Sequence, residues 1–184
     1  VTLPAPVLLA YGFTDASAHP IAIGLINKTW RIERSGTPLA VVQRLHPIFA
    51  PEVNDDIDAI TAHLFARGMT TPLLLRTRQG ARFVADGTHT YRALSFLVGR
   101  TLTEVATPAV AGAAGELAGR FHGALEGLVH EFAFSRAGVH DTAAHLSGLR
   151  AALDAPTEHQ ALAQPIGEAI REHARGLEPL PATR

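Results

Sequence analysis

The chain has 184 residues, 47% of them hydrophobic, a formal charge of −1 at pH 7 and a sequence pI near 6.9. That is enough apolar material for one ordinary core or two small apposed lobes, and it excludes a disordered chain. Lys and Arg are scattered rather than clustered, which leaves no electrostatic footprint for nucleic acid or an anionic membrane. The absence of cysteine excludes disulfides, iron–sulfur clusters and thiolate zinc sites, and it fits a cytoplasmic protein.

The opening run from Val1 to Phe13 is apolar but short and lacks the basic flank of a signal peptide, and no stretch approaches membrane-spanning length. Val1 stands where a methionine is expected, as in a trimmed or incomplete reading frame. From Ile21 to Leu45, β-prone runs alternate with turn signals, and three antiparallel strands are expected: Ile21 to Ile26, Thr29 to Glu33, and Leu39 to Leu45 after the Ser35-Gly36 turn. Pro51-Glu52 then opens a helix in which Val53, Ile57, Ile60 and Leu64 share one face and Gly68 follows the last turn. A second β region follows: Leu73 to Arg76, a turn at Gln79-Gly80, Arg82 to Ala85, and Tyr91 to Val98 ending at Gly99.

Beyond Gly99 the pattern turns helical. Ala114, Leu117, Ala118, Phe121, Leu125 and Leu128 make one apolar stripe, and two further helices are expected at Thr142 to Leu153 and around Ile166 to Arg175, the last with Gly176 as its stop signal. Gly112, Gly115 and Gly119 sit inside the first of these helices with no strand before them, so they suit close helix packing rather than a dinucleotide fingerprint. Ten histidines include no H-E-x-x-H and no pair at i, i+4, so no metal site is expected from them. Leu177 to Arg184, with Pro179 and Pro181, reads as a helix exit and a linker leading onward.

Strands, one helix, more strands, a glycine and then helices is the order of an α+β, protein-kinase-like chain. An antiparallel-sheet nucleotide lobe with one packed helix, residues 1–98, is followed by the start of a helical lobe, residues 99–184. The segments Gly24 to Trp30, Val41 to His46 and Tyr91 to Gly99, with Phe121-His122 and Val139 to Thr142 after them, resemble the aminoglycoside phosphotransferase and choline kinase superfamily, within it the N-acetylhexosamine kinase-like branch. The resemblance covers about Pro20 to Arg184.

It implies an ATP-dependent kinase that uses Mg2+ and phosphorylates a hydroxyl of a small molecule such as a sugar, amino sugar or aminoglycoside. Gly24, Asn27 and Thr29 would close over the triphosphate, although the same residues also read as an ordinary hairpin. On the third strand Val42 would cover the adenine and Arg44 would reach the α- and β-phosphates; the alternative is a surface arginine on a strand. Asp55, Asp56 and Asp58 are the candidate helix carboxylates for that cation, or simply favour the positive end of their helix. Ser95 and Leu97 would offer backbone C=O and N–H to the adenine edge.

No H-x-D-x-x-x-x-N run follows, and the two asparagines, Asn27 and Asn54, both fall in the first lobe. His140-Asp141 is not that loop, and Asp141 is expected to cap a helix. The chain is therefore expected to be an N-terminal fragment, inactive alone, whose metal ligands and acceptor site lie in a missing C-terminal lobe. The alternative is a non-catalytic nucleotide-binding or regulatory module derived from a kinase lobe.

Overall fold

A computed structural model describes residues 2–22, 24–136, 138–139 and 141–176. His140 and the 177–184 linker reading lie outside the described residues. By packing, the chain divides into Val1–Ser135 and Arg136–Arg184. The reading from sequence drew its lobe boundary at 98/99, where strands give way to helices; packing places the next helix with the sheet, because that helix touches the earlier one.

The first unit opens with a helix that the sequence reading left as an apolar run, α1 (Ala5–Tyr11). Pro4 and Pro6 preset its first turn and Gly12, at φ 75°, ends it. Leu3, Val7 and Tyr11, spaced four apart, put one apolar face on the sheet. β1 (Ser17–Ile21) starts four residues before the expected Ile21, and Ala22 and residues 24–27 belong to no strand. β1 contains Pro20 and is an edge strand, where a missing N–H is tolerated.

β2 (Lys28–Arg34) and β3 (Thr37–Arg44) form the expected hairpin across Ser35 and Gly36, both at positive φ, as a tight two-residue turn requires. The expected helix is α2 (Val53–Ala66), with Gly68 at φ 76° just past its end. β4 (Leu74–Leu75), β5 (Val84–Ala85) and β6 (Thr90–Ser95) complete an antiparallel sheet of order β1-β2-β3-β6-β4, with β5 also paired to β6. β6 stops three residues before the expected Val98.

Directly opposed residues share a face, so the register sorts the sheet into two sides. Trp30, Ile32, Ala40, Val42, Tyr91 and Ala93 are buried beneath α1. Thr29, Arg31, Val41, Gln43, Arg92 and Leu94 lie on the other side, all half-buried. Leu74 pairs with Leu94 on that second side and is buried outside the α1 core, at β4, the strand against which α2 packs.

α3 (Pro108–Leu125) packs on α2 but buries none of its own residues; Leu117 and Phe121 on the apolar stripe are 58% and 37% exposed. Gly112, Gly115 and Gly119 face open space, so the close packing expected of them is not made.

In the second unit, α4 (Thr142–Asp154) is capped by Asp141, whose carboxylate accepts from the Ala144 N–H at 2.8 Å, as expected. α5 (Gln160–Ala174) begins six residues before the expected start and continues through Pro165. Its first turn is held by the Leu162 and Ala163 N–H groups on the His159 carbonyl, and Gln160 Nε2 donates to the Leu153 carbonyl.

Candidate functional site

The loop between β1 and β2 closes over a hollow of about 310 Å3 lined by Ile21, Gly24, Asn27 and Thr29, among others. Three of the residues singled out from sequence therefore meet in one place. Asn27 is partly committed: its Oδ1 accepts from the His46 N–H at 3.0 Å and so ties the loop to the end of β3, leaving its amide N–H groups for other partners. Gly24 has its N–H on the Ala22 carbonyl at 3.1 Å, and a Cβ at this position would lie 3.3 Å from the Asn27 carbonyl oxygen. Leu25, at the tip, is fully exposed.

Val42 and Arg44 do share a face, as the alternation demands, but it is the face under α1. Val42 is wholly buried in that core and presents no surface. Arg44 is directly opposite Tyr91 in the register and acts on its hydroxyl, which burial and Asp86 push up in pKa and Arg44 pulls back. Neither stands with Thr29 on the α2 side.

The helix acids are all engaged elsewhere. Asp55 pairs with Arg82 at 3.2 Å, and Asp58 holds Arg82 at 3.0 Å together with Arg76. Asp56 is buried, and its carboxylate accepts from His130 Nε2 at 2.8 Å and from the Ala133 and Phe134 N–H groups at 2.8 and 3.0 Å. Burial alone would raise its pKa; these hydrogen bonds and the nearby His130 more than offset that and hold it low. Asp56 is thus the anchor of residues 130–134 on α2, a role the sequence did not announce.

Ser95 and Leu97 stand at the end of β6. Ser95 knits β6 to the entry of β4: its N–H donates to the Leu73 carbonyl and its Oγ accepts from the Leu73 N–H, both at 2.8 Å. Leu97 lies past the strand and is exposed.

On the α2 side, Thr29, Gln43 and Arg92 form one row across β2, β3 and β6, and Arg31, Val41 and Leu94 form the next. Arg31 is neutralised by Glu33 at 2.7 Å. Arg92 Nε donates to Gln43 Oε1 at 2.9 Å. This half-buried face therefore offers apolar surface at Val41 and Leu94 beside polar groups two residues along each strand, Gln43 and Arg92. Among the described residues no group of three His, Cys, Asp or Glu side chains could hold a metal ion, and no helix is long and apolar enough to cross a membrane.

The fold is found in known structures. The chain superposes on an aminoglycoside phosphotransferase from Alicyclobacillus acidocaldarius with a TM-score of 0.66 at 16% identity, over 95% of this chain and 52% of that one. It also superposes on a spectinomycin phosphotransferase in complex with ADP and spectinomycin, with a TM-score of 0.60 at 10% identity, over 95% of this chain and 57% of that one. Comparisons with protein-family models and with curated proteins found no match. The fold is that of the aminoglycoside phosphotransferases, a kinase-like antiparallel sheet with its helix followed by further helices, and the chain spans about half the length of the solved structures it matches.

Proposed function

We propose that the chain carries the ATP-binding part of a kinase that transfers the γ-phosphate to a hydroxyl of a small molecule such as a sugar, amino sugar or aminoglycoside. The observation that carries this reading is the sheet order β1-β2-β3-β6-β4 with α2 between the third and fourth strands, joined to a half-buried α2 face of mixed chemistry. The likeness to two phosphotransferases, one of them an ADP complex, supports it.

Residues 1–98 form the nucleotide lobe and hinge in this reading, and residues 99–184 begin the helical lobe. Gly24, Asn27 and Thr29 take the phosphate side, Val41 and Leu94 meet the base, and the Ser95 carbonyl and Leu97 N–H serve its edge. Val42 and Arg44 could reach a ligand only from the α1 side, so this site does without them. The adenine and phosphate partners fit an ATP molecule, and the ligands of its magnesium ion are expected outside the 184 residues. ATP supplies the transferable phosphoryl group, and the chain's contribution is positioning, which accounts for most of the protein's part in such chemistry.

Calorimetric titration with a non-hydrolysable ATP analogue and Mg2+ tests the reading. Saturable binding without turnover is expected, since no H-x-D-x-x-x-x-N run is present in the 184 residues. Folded protein that binds no analogue overturns it.

A further inference from the structure

Among the described residues Arg92 is a positive charge without a paired counter-charge. It is largely withdrawn from water, and that desolvation lowers its pKa. The partner it does have is neutral, the Gln43 amide oxygen at 2.9 Å. Among the described residues no carboxylate pairs with it. Arg31, on the same face, has Glu33, and the three acids of α2 are taken by Arg76, Arg82 and His130. A desolvated guanidinium left with a neutral acceptor weakens a fold, so such an arrangement calls for an anion to complete it.

The geometry says which anion. Gln43 holds Nε, which leaves the two terminal nitrogens and their four N–H groups for a bidentate acceptor of the carboxylate or phosphate kind. The same row of the sheet runs from Arg92 through Gln43 to Thr29, two strand spacings or about 10 Å away, where Thr29 borders the hollow under the β1–β2 loop. A chain of phosphates fits that line better than a single carboxylate.

We infer that Arg92, oriented by Gln43, is the cation that binds the phosphates of a nucleoside di- or triphosphate, the role the sequence reading gave to Arg44. The inference rests on the nucleotide reading above and assigns its phosphate subsite to a residue of β6 instead of β3.

The test compares wild type, Arg92→Gln, Arg92→Lys and Arg44→Ala by titration with a non-hydrolysable ATP analogue and, separately, with adenosine, together with thermal melting. Arg92→Gln should weaken the analogue roughly 10- to 100-fold while leaving adenosine affinity unchanged, the loss expected when a charge-assisted bidentate contact is removed. Its melting temperature should hold or rise, because an uncompensated charge has gone, and Arg92→Lys should recover part of the affinity. Unchanged affinity for the analogue in Arg92→Gln, with adenosine still bound, overturns the inference and leaves the nucleotide reading standing. Equal loss for both ligands, loss in Arg44→Ala instead, or failure of Arg92→Gln to fold also overturns it. Wild type that binds neither ligand removes both readings.

Discussion

Gly167 lies where α5 meets α4, and a Cβ there would overlap the methyl groups of buried Leu153. Gly115 sits on α3 with nothing near it. Both are helix-interior glycines, and an alanine in either gains about 1 kcal/mol of helix propensity. At Gly167 that gain meets an overpacking cost of about 1–3 kcal/mol, since Leu153 has little room to yield. Gly167→Ala should therefore lower stability and Gly115→Ala should raise it, read as opposite shifts of the denaturation midpoint at constant slope. A gain in both variants would mean that α4 and α5 are not in contact through Leu153. The same contrast separates the arginines. Alternation along β3 put Val42 and Arg44 on one face and Val41 and Gln43 on the other, and it is correct. It carries no information on which face α1 would take, because that depends on docking between Val7 and Val42, far apart in the chain. The cation at Arg92 was invisible for a similar reason: its significance lies in the carboxylates that are occupied elsewhere.

Among the elements, the attachment of α1 depends on pH. Tyr11 is buried in the core and its hydroxyl donates to the Tyr91 carbonyl at 3.3 Å; burial pushes its pKa up to about 12, from 10.0. An acid whose folded pKa is raised contributes fully below the unfolded value and loses that contribution as pH rises towards the folded one. The Tyr11 contribution should thus be level up to about pH 10 and fall by about 2–3 kcal/mol between pH 10 and 12, a loss that Tyr11→Phe reduces while the raised Tyr91 keeps its own share. Denaturant midpoints across that range measure it, and an unchanged loss in Tyr11→Phe would place the titrating group elsewhere. Helices and strands with local signals were legible: Asp141 caps α4, the Ser35-Gly36 turn joins β2 to β3, and Gly68 ends α2. α1 had such signals too, in Pro4, Pro6 and Gly12 with Leu3, Val7 and Tyr11 four apart, but only seven residues to show them in. β1 and α5 contain Pro20 and Pro165, and in each the tertiary setting overrides a residue that speaks against the element.

At the scale of the whole molecule, the candidate site was legible as a kind of lobe more than as a set of contacts. The reading from sequence expected a connection between the first two strands and a last strand running into Gly99; the first strand lies earlier, at Ser17–Ile21, and β6 ends at Ser95, while the partners of Asp56, Gln43 and Arg92 come from pairings 49 to 78 residues apart, beyond any local pattern. Exposed apolar residues have a measurable consequence. Leu117 and Phe121 on α3, and Leu162, Ile166 and Ile170 on α5, leave large hydrophobic side chains in water. The chain should self-associate as its concentration rises, followed by light scattering, and Leu162→Lys with Ile166→Lys should suppress this; a monomer at every concentration would contradict it.

The form of such assemblies is set at the margins of the sheet. On one margin β1 carries Pro20, whose ring offers no N–H to an incoming backbone, and on the other β4 and β5 are two residues long. Neither border can template an added strand over any length. Aggregates of this chain should therefore be amorphous and reversible on dilution, without the infrared band or dye response of fibrils, because side chains can bring copies together while their backbones have no continuous ladder to share.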